Sequence, residues 1–412
     1  MEFMDSQWSI ALSPELYPFI KLVLGAPALQ QRLASILETD SFIAEALRIA
    51  AEHNFPIEEN ILKQVTHPMP MGIGRFGPAP ITCSGWPPTS WIPTQSVATG
   101  GAPDIDWLWF GERPMLQSFF EDDVRSAASL PFNRMFRIRT TLESVVAGAD
   151  SEKTLPLQGM IFHMSRCGST LLAQMFAAVP ENCVSSEPEP LDAVTQWAQL
   201  ADIEPRLADK AIQAIVAALG RHRGNNATRH LIKLAPWQTF ALPSMRSAFP
   251  DVNWVYLYRE PAEVMVSVMH RPGLHTVDGL LPAQVTVNAG AGSASAEEFA
   301  ARVLAAMGDT VIENWTLGGG FLVAYPDIVN AATGSITAHF GMNSTREDAA
   351  LMRSASKRDA KMPEQQFAAD SERKRTEATE AMIAAAEMYL EPVHHQLIQL
   401  EQKLVARPVT TG

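Results

Sequence analysis

The sequence predicts an α/β fold, a parallel sheet covered by helices on both faces, with a small helical subdomain before it. Three observations predict it. Short apolar runs at Met160–Met164, Leu231–Leu234, Trp254–Tyr258 and Phe321–Ala324 read as strands buried on both faces. Helical patterns alternate with them, at Ser169–Ala178, Ala208–Leu219, Ala262–His270, Ala296–Trp315 and Glu372–Leu390, which makes crossover units. The composition of the 412 residues, 47% apolar and 19% charged, is that of a globular chain and excludes disordered or fibrous classes.

Taken in order, residues 1–66 read as the helical subdomain. Leu29, Leu33 and Ile36, then Phe42, Ile43, Ala46, Leu47 and Ala50, recur at helical spacing, with a start at Asp40-Ser41 and a stop at Asn54-Phe55-Pro56. Residues 67–154 read as a linker and accessory segment. Up to Asp104 they are rich in Pro, Gly, Ser and Thr (His67-Pro68-Met69-Pro70, Trp86-Pro87-Pro88-Thr89), the chemistry of irregular loop. Asp106–Phe110 and Phe119–Asp122 are apolar enough to dock on the main domain. Residues 155–412 form the α/β domain, and ligands of such sheets sit beyond the carboxyl ends of the strands.

Charge narrows the partners. Lys plus Arg number 32 against 45 Asp plus Glu, a net charge of −13, so no general field draws nucleic acid or anionic membrane. A bound anion needs a local basic cluster. Three widely spaced cysteines, Cys83, Cys167 and Cys183, suit a reducing compartment. Met1–Ser9 carries Glu2 and Asp5 with no basic region before an apolar run, and no stretch approaches the roughly 20 apolar residues of a membrane span. These features predict a cytoplasmic protein.

The chemistry concentrates after the first strand. His163-Met164-Ser165-Arg166-Cys167-Gly168-Ser169-Thr170-Leu171-Leu172 is a small-residue turn holding one Arg, then a helix opening with Ser-Thr. Amides of such a turn converge and the helix dipole adds positive potential, so a phosphate fits there. Laid on the Walker A pattern, His163 falls where the first Gly belongs and Ser169 where the Lys belongs. Trp254–Tyr258 ends in Arg259 instead of a magnesium-holding Asp. No His, Cys or carboxylate cluster has metal-ligand spacing, so no metal is expected.

Arg166-Cys167-Gly168-Ser169-Thr170-Leu171-Leu172 resembles the phosphosulfate loop of sulfotransferases that use 3′-phosphoadenosine-5′-phosphosulfate (PAPS), most closely the tyrosylprotein and related bacterial branch. The resemblance implies a P-loop-like sulfotransferase fold and a cofactor site at Arg166, Cys167, Gly168, Ser169 and Thr170. Arg259, Ser267 and Arg271 resemble the family's 3′-phosphate motif; helical spacing lets the three reach one phosphate. Lys233 before Ala235-Pro236-Trp237 matches a family Lys that faces charge on the leaving phosphate. Glu187 stands at the family base's distance from the loop Arg, with Glu189 as a competitor; a carboxylate there serves as base if its pKa is raised. Phe321–Ile328 resembles a strand whose Tyr, here Tyr325, contacts the 3′-phosphate, with Pro326 replacing a Glu. Ser354-Ala355-Ser356-Lys357-Arg358 resembles a segment that closes over the phosphosulfate, with Lys361 beyond it.

The expected activity is sulfuryl transfer from PAPS to a hydroxyl or amine of a small-molecule or peptide acceptor. Glu187, Arg166, Lys233, Ser354 and Ser356 would act in catalysis, and Arg259, Ser267, Arg271, Tyr325 and Lys357 would bind the nucleotide beside the loop. A P-loop kinase or nucleotide hydrolase, and a non-catalytic module binding 3′-phosphoadenosine-5′-phosphate (PAP), are the alternatives. Thiol catalysis by Cys167 lacks a third group to orient His163.

Overall fold

In the computed structural model the described residues are 16–66, 79–358, 374 and 376–405. The N-terminal Met1–Ser9, His67–Pro70, Lys361 and the first residues of the expected helix at Glu372 lie outside them. The chain divides into two units. One comprises Met1–Pro114, Phe120–Thr154 and Ala214–Asn225, the other Met115–Phe119, Leu155–Gln213 and Asn226–Gly412.

The first unit opens with four helices, α1 (Leu16–Leu24), α2 (Pro27–Ala34), α3 (Thr39–Glu52) and α4 (Glu59–Thr66). Glu38 caps α3 by accepting from the Asp40 and Ser41 amides, two residues upstream of the expected Asp40-Ser41 start. The stretch read as irregular loop instead builds a sheet. Strands β1 (Ile81–Thr82), β2 (Trp91–Val97), β3 (Asp104–Trp109) and β4 (Ile138–Thr141) lie in the order β1-β4-β3-β2. Pro93, inside β2, sits where the β2–β3 register breaks, a place that tolerates a missing amide. Burial of Trp91 and Trp107 drives the pairing, and their indole N–H groups donate to Gln30 Oε1 and Thr140 Oγ1, each at 2.8 Å. Helices α5 (Phe120–Ala128), α6 (Pro131–Met135) and α7 (Leu142–Gly148) complete the unit.

The second unit holds five parallel strands, β5 (Leu157–His163), β6 (Asn182–Ser186), β7 (Arg229–Lys233), β8 (Trp254–Tyr258) and β9 (Gly320–Ala324), in the order β6-β7-β5-β8-β9. All its ladders are parallel, and residues 160–162, 231–232 and 254–258 are buried, as helices on both faces require. The covering helices are α8 (Ser169–Ala177), α9 (Glu189–Ala198), α10 (Pro205–Leu219), α11 (Leu242–Ala248), α12 (Pro261–His270), α13 (Ala296–Glu313), α14 (Ile328–Ala332), α15 (Ser335–His339) and α16 (Arg346–Ala355). Helix α10 is divided between the units after Gln213. Further on, Glu380–Ala385, a π-helical turn at Ala386–Leu390 and Glu391–Val405 run as successive helical segments.

Strand β6 was not expected, because Asn-Cys-Val-Ser-Ser has too few apolar residues. Its serines are buried through hydrogen bonds instead: Ser185 Oγ lies 2.9 Å from His230 Nε2, and Ser186 Oγ donates to the Ser118 carbonyl at 3.0 Å. Lys233 pairs in register with both Ile161 and Ser186, and His163 with Leu257. The side chains of His163, Glu187, Lys233, Arg259 and Tyr325 therefore leave from one edge of the sheet. No described helix is long and apolar enough to cross a membrane.

Candidate functional site

The site is built on the turn between β5 and α8. Ser165, Arg166 and Gly168 all take positive φ (77°, 53° and 85°), which turns successive amides toward one side of the loop. Gly168 is required. A Cβ there would lie 2.8 Å from Ile328 Cδ1 and 2.9 Å from the Tyr325 ring. Gly168 is also the N-cap of α8, and no described side chain caps that helix, so its first-turn N–H groups face the loop. Ser169 and Thr170 begin α8 and are 4% and 7% exposed.

Cys167 is part of the scaffold. Its buried thiol donates to the Leu257 carbonyl at 3.2 Å, and burial pushes its pKa up to about 12. A thiol held protonated in this way is no nucleophile.

On the β8–β9 side, Arg259 is 4% exposed. Its Nε and one terminal nitrogen donate to Glu263 Oε2 at 2.8 and 2.6 Å, and its guanidinium lies over the Tyr325 ring at 3.9 Å. The Glu263 pairing that would mark a surface arginine is present, yet it is buried. Ser267, two turns along α12, donates to the Glu263 carbonyl at 2.8 Å. Arg259, Ser267 and Tyr325 are thus assembled around one helix and one strand end. Arg271 is not: it caps the C-terminus of α12 and is exposed.

On the β6–β7 side, Lys233 is fully buried and bound to Glu187 Oε1. Glu187 follows β6 with φ 59°, its amide donating to the Lys233 carbonyl at 2.7 Å. His163 completes this cluster. Its Nε2 is 3.0 Å from the Leu234 carbonyl and 3.6 Å from Glu187 Oε1, while Nδ1 accepts from the Ser165 amide at 3.2 Å. Those partners assign the proton to Nε2. Burial works against ionisation of Glu187, but the charges and hydrogen bonds of Lys233 and His163 overcome it and hold the carboxyl at about 2. The raised pKa expected of a base is therefore absent from the resting site. Glu189 is the exposed first residue of α9.

Ser354, Ser356 and Lys357 stand at the end of α16, a helix that packs on α8. Ser354 and Lys357 are exposed, and Ser356 Oγ donates to the Arg353 carbonyl at 2.9 Å.

Several residues near Glu187 carried no site role in the sequence. The Phe119 ring lies 5.1 Å from Lys233 Nζ. Trp237, in the 3-10 turn Pro236–Ala241 after β7, donates its indole N–H to Asp192 Oδ1 at 2.8 Å. Burial raises the pKa of Asp192, which also accepts from Gln196 at 2.9 Å. His275 lies tilted against Trp237, ring centroids 5.8 Å apart. None belongs to a motif; the only signal was the Pro-Trp step after Lys233.

Chemically, the arrangement suits a ligand with two anionic groups. The loop amides and α8 face one group, with Lys233 beside them, and Arg259 with Tyr325 stands ready for the other. Among the described residues no three His, Cys, Asp or Glu side chains cluster to hold a metal.

No protein-family model and no curated protein matches the chain. Solved structures similar to it include sulfotransferases. The sulfotransferase domain of the Synechococcus PCC 7002 olefin synthase is 16% identical, with 62% of this chain and 97% of that one covered and a TM-score of 0.33. Sulfotransferase STF9 from Mycobacterium avium is 13% identical over 61% of this chain and 81% of that one, TM-score 0.37. A mouse sulfotransferase complexed with PAP is 16% identical over 52% and 68%, TM-score 0.29.

Proposed function

We propose that the protein is a sulfotransferase that moves a sulfuryl group from PAPS to a hydroxyl or amine of a small-molecule or peptide acceptor. One observation carries the reading. Lys233 and Arg259 end the two strands that flank β5, on either side of a loop whose own cation is Arg166. In this reading three cations of the chain serve in place of the magnesium, loop Lys and strand Asp of a metal-dependent phosphotransferase.

In this reading the Cys167–Thr170 amides and Arg166 receive the phosphosulfate oxygens. Arg259, with Ser267 and Tyr325, reads the 3′-phosphate, and Arg271 adds a cation from the rim. Lys233 faces the oxygen that bridges sulfur and phosphorus and neutralises it as the bond to sulfur breaks. To do so it turns away from Glu187. That frees the carboxylate to take the acceptor's proton, with His163 holding it in place. Ser354, Ser356 and Lys357 contribute from the end of α16.

Calorimetric titration with PAP, and separately with ATP and magnesium, tests this. Binding of PAP without binding of ATP–magnesium is the expected result. ATP–magnesium binding alone would make the protein a kinase or nucleotide hydrolase. PAP binding with no sulfuryl transfer to any acceptor would leave a nucleotide-binding module.

A further inference from the structure

His275 is buried, 2% exposed, in the turn Leu274–Thr276 just beyond α12, and neither of its ring nitrogens has a hydrogen-bond partner among the described residues. Other buried histidines are engaged. His163 contacts the Leu234 carbonyl and the Ser165 amide, and His230 contacts Ser185 through Nε2. A buried imidazole with both nitrogens unused is unfavourable, and it persists where a ligand supplies the missing partners.

The surroundings indicate which ligand. One face of the ring is set against Trp237, whose indole is tied through Asp192 to the helix that starts beside Glu187. Its edge lies over Gly273, where a Cβ would come within 2.6 Å of Cε1. The ring is thereby wedged. Trp237 lies in the turn that follows Lys233's strand and is bonded to the helix that starts at Glu189, so the ring packed on it lies on the Glu187 side of the loop, where the Glu187 charge and the His163 imidazole act on it. Burial keeps it neutral, with its pKa pushed down to about 3, so it offers one N–H donor and one lone pair. A hydroxyl or amine is the complement of that pair.

We infer that His275 hydrogen-bonds the acceptor's reacting hydroxyl or amine and presents it to Glu187, with Trp237 as the wall of the acceptor site. This rests on the sulfotransferase reading and adds the residue that selects the acceptor.

The test uses His275→Phe and His275→Gln in the full chain, with phenol as the probe acceptor, PAPS as donor and PAP for affinity. PAP affinity is expected to stay within about twofold, since Arg259 precedes α12 and the ring lies beyond its other end. The melting temperature of His275→Phe should match or exceed that of the unmodified protein, because two unpaired buried nitrogens are gone. The KM for phenol should rise about tenfold or more, and His275→Gln, which keeps a donor and an acceptor, should restore part of it. An unchanged KM, or a lower melting temperature in both variants with transfer kinetics intact, would make His275 a packing residue and overturn the inference. Failure of the unmodified protein to bind PAP would instead overturn the sulfotransferase reading, and this inference with it.

Discussion

Removing Arg259 disturbs two things at once, and the structure says how to separate them. Arg259 and Glu263 are each 4% exposed and bonded to one another. Replacing Arg259 alone strands the Glu263 carboxyl in a buried site, a change that typically costs about 3–5 kcal/mol. Arg259→Met, which keeps most of the apolar stem over Tyr325, should therefore unfold at distinctly lower denaturant. The double variant Arg259→Met with Glu263→Gln should recover most of that loss. Nucleotide affinity should not recover. A missing charge-assisted bond to a partly buried phosphate is worth about 1.5–3 kcal/mol, which is roughly 10- to 150-fold in Kd. Calorimetry on the double variant should show this loss for PAP. Adenosine-5′-phosphosulfate, which lacks the 3′-phosphate, should lose less than about threefold. Equal losses for both nucleotides would refute the assignment of Arg259 to the 3′-phosphate. Full stability of the single variant would refute the claim that the pair is buried and coupled.

Other outcomes follow from the same site. Glu187→Gln leaves fully buried Lys233 without its carboxylate and should destabilise the protein by about 3–5 kcal/mol at pH 7. A carboxyl lowered to about 2 contributes stability that is present above its ordinary value near 4.5 and lost as pH falls through 2, so the gap between the two proteins in denaturant melts should narrow on acidification. For the same reason Glu187 should impose no acidic limb on kcat/KM, which reports the free protein, between pH 5 and 7. Such a limb, abolished by Glu187→Gln, would show a base of raised pKa, and Glu189→Gln should be mild throughout. Gly168→Ala forces a Cβ into Ile328 and Tyr325 at φ 85°; it should lower stability by about 1–3 kcal/mol and weaken PAP binding, and a neutral result would mean the loop relaxes freely. PAP binding and turnover should persist in EDTA, and an absolute divalent-metal requirement would favour the kinase reading.

The sheet and the edge that carries the candidate site were legible because parallel strands buried on both faces write unbroken apolar runs, as Trp254–Tyr258 does. Strand β6 was not legible, since Ser185 and Ser186 are buried by hydrogen bonds that only the folded chain supplies. Strand β2 was hidden for a different reason: it lies in a stretch whose Pro, Gly, Ser and Thr read as irregular loop, and its own Pro93 is tolerable only because the register breaks beside it. The candidate site shows the same division. Arg166, Lys233 and Arg259 could be named from their positions after strands. The state of Glu187 could not, because its low pKa is set by His163 and Lys233, which lie far from it in sequence. His275 and Trp237 meet only through the fold.

The strand order makes the edge of this sheet a ruler. Lys233 and Arg259 project from β7 and from the end of β8, strands separated by β5 alone and so two ladder spacings apart, about 10 Å across the sheet, with Lys233 level with Val255 and Arg259 four residues further along. That interval is set by main-chain hydrogen bonding and not by any side chain, so it cannot drift a little; it changes only if a strand slips register, which would also turn the apolar side chains to the wrong face. Damage to the interior should then dissociate two properties that usually fall together. Hollowing out the edge-on contact of Phe162 with Trp254, whose rings lie 5.8 Å apart, should make the protein easier to unfold while its preference between one-phosphate and two-phosphate nucleotides survives.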